Sequence, residues 1–185
     1  AMVKQGISRV IFLSSGGTVY GNTAGSPISE NAPLHPLSSY GIVKMAIEQY
    51  LLFYEHQSDL RPLIFRPSNI YGPRHGHIGV QGIISTFLAA MKREDPLNVW
   101  GDGSIVRDYL YIDDFVDVCM RVLKTRETGI FNVGAGVGFS IRDIIACVTK
   151  VVGTVPLVEF NPGRPFDIAS VILDISKAKK VFNWS

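Results

Sequence analysis

Apolar positions divide the chain into short elements joined by polar turns. Residues 9–15, Arg-Val-Ile-Phe-Leu-Ser-Ser, form a brief apolar run of the buried-strand type. Residues 1–5 read as the last turn of a helix, with Gly6 as its C-terminal stop. A polar, Pro- and Gly-rich loop over 16–36 leads to a helix for which Ser38 is a plausible N-cap and which runs to about His56. Its apolar positions Ile42, Val43, Ala46, Ile47, Tyr50 and Leu51 recur at helical spacing. A second strand follows over 61–66, ended by Pro67. Strand, helix, strand in this rhythm predicts a parallel α/β unit.

After Pro73 the texture changes. Helices are expected over 83–92, from Asp113 to about Lys124, from Ser140 as cap to about Val152, and from Ser176 as cap onward. Short strands or extended segments are expected over 98–100, 106–112, 130–133, 157–160 and 172–174. The expected organisation is an α/β part over 1–72 and a smaller α+β part over 73–185, with the chain crossing between them.

With 185 residues, 46% of them hydrophobic, the chain can bury one sizeable core or a domain and a half. Charged residues make up 18%, the formal net charge is +2, and the basic residues are scattered, which argues against a nucleic-acid partner. No run of 18 apolar residues suggests a membrane span, and the first residues lack the features of a signal peptide, so the cytoplasm is the default expectation. Cys119 and Cys147 each lie in an apolar helical pattern and read as small buried thiols in a reducing compartment. His35, His56, His75 and His77 form no metal constellation, and no metal is expected.

The chemistry-bearing pattern is Tyr40-Gly-Ile-Val-Lys44 on the expected helix, preceded by Ser14-Ser-Gly-Gly-Thr-Val-Tyr-Gly21 at a strand end. Positions i and i+4 share a helix face. An ammonium one turn from a phenol favours the phenolate, which tyrosine needs to act as a base at neutral pH. Together with Arg66-Pro-Ser-Asn-Ile-Tyr-Gly-Pro73, these segments resemble the extended short-chain dehydrogenase/reductases, and most closely their UDP-glucose and UDP-N-acetylhexosamine 4-epimerase branch. The resemblance runs from about Gly6 to Trp184. It implies part of an NAD-binding Rossmann sheet plus a substrate-binding domain, with NAD as cofactor and a UDP-sugar as substrate.

By that resemblance Tyr40 is the base that takes the 4-hydroxyl proton while NAD accepts hydride from C4, and Lys44 also holds the nicotinamide ribose. Ser14, Ser15, Pro67 and Ser68 are implied to lie near the cofactor. The family usually has Ser or Thr four positions before the tyrosine of Val-Tyr-Gly, where this chain has Gly16. Thr18 is the favoured substitute hydroxyl and Ser15 the second; Ser14 and Ser15 could instead only satisfy backbone groups. Gly16 and Gly17 offer no acid or base, which argues for epimerisation over the related dehydration.

The resemblance also places Asn69, Asn98, Trp100, Arg107, Arg164 and Asp167 at the nucleotide sugar. Trp100 would pack on uracil, and the two arginines would pair with the diphosphate. It makes Val171 the gate of the sugar pocket, small enough to admit N-acetylated sugars. Gly134-Ala-Gly-Val-Gly138 lacks the spacing of a dinucleotide fingerprint and reads as a turn.

No strand–Gly-x-x-Gly-x-x-Gly–helix segment occurs in the sequence. The chain also stops short of the family's closing helix. It therefore reads as a fragment that would be inactive alone, with residues 9–15 as an uncovered sheet edge through which copies could associate. Another nucleotide-sugar enzyme of the same family, a dehydratase, reductase or decarboxylase, and a non-catalytic UDP-sugar-binding remnant are the alternative readings.

Overall fold

The computed structural model describes residues 2–23, 25–75, 82–164 and 167–184. In chain order its elements are β1 (Arg9–Leu13), α1 (Ser39–Gln57), β2 (Arg61–Pro67), β3 (Asn69–Tyr71), α2 (Ile83–Arg93), β4 (Leu97–Trp100), β5 (Val106–Tyr111), α3 (Ile112–Leu123), β6 (Gly129–Val133), β7 (Gly138–Ser140), α4 (Ile141–Val152), β8 (Val158–Asn161), β9 (Ser170–Val171) and α5 (Ser176–Phe182). A 3-10 turn over Val3–Gln5 precedes them and ends at Gly6, whose φ of 72° suits a residue without Cβ.

The principal sheet has the order β1-β2-β6, parallel throughout. Leu63 and Phe65 of β2 face one side, where Phe115, Val118 and Val122 of α3 and Phe182 of α5 cover them. Ile64 faces the other side, against Leu51 of α1 and Leu60. Both faces are covered, so β2 reads as one unbroken apolar run. β1 pairs only with β2 among the described residues, leaving its other edge without a strand.

Two smaller sheets build the second part. β4 and β8 pair in parallel under α2 and α4. β5 lies between β3 and β7 and also pairs with β9. The chain crosses the boundary expected at Gly72, because β6 returns to the principal sheet and α3 and α5 cover it.

The structure corrects several local expectations. The α1 spacing is helical, and Ser38 accepts the Gly41 N–H as its cap. Yet Ile42, Val43, Ile47 and Tyr50 point outward, and the inward positions are Gly41, Glu48 and Leu51. Polar anchors set that rotation: Lys44 reaches the Leu13 carbonyl and Glu48 pairs with Arg66. Ser176 is the first helical residue of α5 rather than its cap, and the Asp174 carboxylate accepts its N–H. Cys147 is exposed and Cys119 only half-buried, so neither is a core thiol. Residues 138–140 are a strand rather than part of a turn. Ser140 caps α4 in a reciprocal pair with Asp143.

Candidate active site

The C-terminal ends of β1 and β2 open toward a cleft of about 1190 Å3. Its walls bring together Ser14, Ser15, Thr18, Tyr40, Pro67, Ser68, Asn69, Asn98, Trp100, Arg107, Arg164 and Asp167, all singled out from sequence. These residues come from both parts of the fold, from the β1 loop and α1 through β3, β4 and β5 to the segment before β9. A cleft of this size accommodates an elongated ligand.

Tyr40 is the second residue of α1 and half exposed at the cleft wall. One turn on, the Lys44 ammonium lies 5.5 Å from the centre of the Tyr40 ring and donates to the Leu13 carbonyl at 2.6 Å. The Thr18 loop packs directly on this first helical turn. A Cβ at Gly41 would sit 2.8 Å from the Thr18 carbonyl and 2.9 Å from Pro36, so only glycine permits the approach. The Thr18 and Ser14 hydroxyls are buried and have no hydrogen-bond partner among the described residues. Both residues line the cleft, and buried hydroxyls are normally satisfied.

Gly16 explains why the usual hydroxyl is missing at its position. A Cβ there would come within 2.6 Å of Leu173 and 2.8 Å of the Arg66 carbonyl. Asn69 donates to the Asp108 carbonyl at 3.1 Å, while its side-chain oxygen lies toward Gly17.

At the far wall, the Arg164 guanidinium stacks 4.4 Å from the centre of the Trp100 ring. Arg107 donates to the Val106 and Ile168 carbonyls at 2.8 and 2.7 Å. Burial holds the Arg107 guanidinium below its usual pKa, with Asp167 and Tyr109 opposing that shift. Asn98 accepts a hydrogen bond from Asn161 at 3.2 Å. Lys44, Arg107 and Arg164 belong to none of the ion pairs among the described residues.

Val171 does not gate this cleft. It is 2% exposed, sits opposite Arg107 in the β5–β9 pair and packs in the main core. An argument from its size about N-acetylated sugars therefore has no footing. His77 lies outside the described residues. Among the described residues, no group of three or more His, Cys, Asp or Glu could hold a metal ion. No described helix is long and apolar enough to cross a membrane.

Several residues organise the site from behind, among them Asp108, expected from the sequence to support Arg107 but bonded instead to backbone N–H groups. Asp108 is buried and accepts from the N–H groups of Ala135, Gly136 and Leu173. A Cβ at Gly134 would collide with its carboxylate, which accounts for the first glycine of the 134–138 run. Glu48, Tyr20 and Asn132 form a second buried polar group around Arg66. The available signals were a charged residue ending the apolar run of β2 and a carboxylate four positions after Lys44.

The family model described as "NAD dependent epimerase/dehydratase family" matches residues 1–134. The chain is 37% identical over 180 residues to a UDP-glucose 4-epimerase of Mycolicibacterium smegmatis, an alignment covering 97% of this chain and 58% of that protein. It superposes on the UDP-glucose 4-epimerase of Thermotoga maritima, solved with UDP-glucose, with a TM-score of 0.95 and 33% identity, covering all of this chain and 60% of that one. A Thermus thermophilus UDP-glucose 4-epimerase solved with NAD gives a TM-score of 0.92 at 30% identity, again covering all of this chain and 60% of that one. The chain thus spans about three-fifths of the length of these relatives.

Proposed function

The chain belongs to the NAD dependent epimerase/dehydratase family, and we propose that, within a protein of its relatives' length, it carries the acid–base centre and much of the substrate cleft of an NAD-dependent UDP-hexose 4-epimerase. The observation that carries this reading is the convergence of Tyr40, Thr18, Asn69, Trp100, Arg107 and Arg164 on one cleft, with Lys44 one helical turn from Tyr40.

The residues present fit NAD at its nicotinamide end. The Ser14 hydroxyl is buried without a partner among the described residues, Pro67 and Ser68 line the same wall, and Lys44 has a single carbonyl partner that a ribose hydroxyl could replace. Bound NAD would supply a hydride acceptor that returns the hydride to the opposite face of C4. The Tyr40 phenolate takes the proton of the sugar 4-hydroxyl as C4 is oxidised, and gives it back to the 4-oxygen on reduction. Lys44 stands one helical turn from Tyr40, its ammonium 5.5 Å from the centre of that ring. Thr18 hydrogen-bonds the 4-oxygen in place of the hydroxyl that Gly16 lacks, with Ser15 the next nearest candidate on the cleft wall. Arg107 and Arg164 hold the diphosphate; Arg164 leaves Trp100 as the uracil takes that ring's face. Asn98, Asn69 and Asp167 complete the polar lining.

Epimerisation is favoured over elimination because Gly16 and Gly17 of the loop offer neither a proton donor nor an acceptor, and Gly16 has no room for a side chain. The test is interconversion of UDP-glucose and UDP-galactose by the longer protein with NAD, alongside calorimetry of UDP binding to the 185-residue chain. Turnover that disappears in Tyr40→Phe supports the reading. Failure of the wild-type protein to interconvert any UDP-hexose pair rejects it. The proposed location is the cytoplasm.

A further inference from the structure

Three segments carry the candidate chemical groups: the loop with Thr18, helix α1 with Tyr40 and Lys44, and the end of β2 leading to Asn69. One buried cluster that reaches none of the reacting atoms joins all three. Glu48 lies on the same face of α1 as Tyr40 and Lys44, at successive four-residue steps. Its carboxylate takes a two-pronged contact from Arg66, Nη2 to Oε2 at 2.6 Å and Nε to Oε1 at 3.1 Å. The two side chains are 3% and 0% exposed.

The remaining edge of the guanidinium donates to the Tyr20 hydroxyl at 3.0 Å and the Glu30 carbonyl at 3.2 Å. Tyr20, two residues after Thr18, donates in turn to Asn132 Oδ1 at 2.6 Å. The Asn132 amide donates to the Ile28 and Asp174 carbonyls, and its backbone N–H donates to the Glu30 carboxylate. None of Tyr20, Glu48, Arg66 or Asn132 lines the cleft.

Resting on the 4-epimerase reading, we infer that Tyr20 and the Glu48–Arg66 pair are positioning residues that fix the Thr18 hydroxyl relative to Tyr40. A buried arginine that only closed a core could be satisfied within one element. This one is shared among three, and each ends or turns at a candidate catalytic group. The phenol is the informative member. Its hydroxyl joins the loop to the guanidinium, while its ring fills a core site that phenylalanine also fills. Displacing a catalytic group by about 1 Å costs on the order of a hundredfold in rate, so a partial loosening here should be visible in kcat.

The test is Tyr20→Phe in the longer protein, alone and combined with Thr18→Val. The inference expects Tyr20→Phe to lower kcat about tenfold with KM for the UDP-sugar changed by less than about twofold. In the Thr18→Val background, it expects Tyr20→Phe to cost less than about threefold more, since the group it places is already gone. An unchanged kcat in Tyr20→Phe, or a fully multiplicative double variant, overturns it. Should the wild-type protein turn over no nucleotide sugar, the epimerase reading fails and amide exchange judges the network. Exchange at Thr18, Val19 and Gly41 about tenfold faster in Tyr20→Phe, at an unchanged melting temperature, upholds the positioning role. Equal exchange rates overturn it.

Discussion

Arg66 and Arg107 sit in neighbouring parts of one molecule and are treated in opposite ways. Arg66 has a buried carboxylate, a buried phenol and a half-buried carbonyl as partners. Among the described residues, Arg107 donates to two carbonyls and joins no ion pair, and Arg164 lies over the face of Trp100. The hydroxyls follow the same division, since that of Tyr20 is doubly bonded whereas those of Thr18 and Ser14 have no partner among the described residues. The polar groups around Arg66 are saturated, and leaving one of them unpaired would cost about 1–3 kcal/mol. Groups at the cleft keep their capacity for something brought in from outside.

The largest effect expected from this division is on rate without stability. Tyr40→Phe should lower kcat about a thousandfold, worth about 4 kcal/mol of barrier, with the melting temperature moved by less than about 2 °C. A large fall in melting temperature would show that Tyr40 belongs to the structural set. The converse is Arg66→Met, which leaves Glu48 unpaired in the interior and should destabilise the chain by about 3–5 kcal/mol in denaturant titrations. Arg107→Met should change stability by less than about 1 kcal/mol while weakening UDP binding at least tenfold by calorimetry. Similar stabilities for the two methionine variants would erase the contrast.

Gly16→Ser restores the hydroxyl usual at that position, yet it should cost about 1–3 kcal/mol through contact with Leu173 and the Arg66 carbonyl and bring no gain in kcat. A faster, equally stable variant would show that Thr18 does not fill the role.

The smallest effect concerns Asp108. Burial raises its carboxyl above the usual carboxylate range, against backbone N–H groups that favour the ionised form. A pKa higher in the folded than in the unfolded chain favours folding at low pH, and that contribution is lost as pH rises through the folded value. The melting temperature of the wild-type chain relative to Asp108→Asn should therefore fall as pH rises above the ordinary carboxylate range. A rise instead would place Asp108 with the ionised, saturated groups.

Elements with a strong period or a cap were legible in the sequence. Ser38 and Ser140 cap their helices as expected, and the apolar run of β2 is a buried strand. The Tyr-x-x-x-Lys pair stands on one helix because spacing alone dictates it. What escaped depends on partners distant in sequence. The rotation of α1 follows from Arg66, 18 residues beyond Glu48, and no periodicity within the helix reveals it. β7 and β9 are too short to announce themselves and exist by pairing with β5. Val171 was placed at the sugar by its distance from Asp167 along the chain, but it packs among the residues of the main core, contacts that no spacing in the sequence reveals.

The return of the chain at β6 bears on how such proteins could be recombined. Leu63 to Pro67 of β2 align with Gly129 to Val133 of β6, and Lys177 of α5 reaches back to the Ile130 carbonyl. A cut at Gly72 would therefore separate neighbouring strands of one sheet. A chimaera that borrows substrate preference from another relative would have to exchange 73–111 and 134–174 as two inserts, keeping 112–133 and the terminal helix with the host.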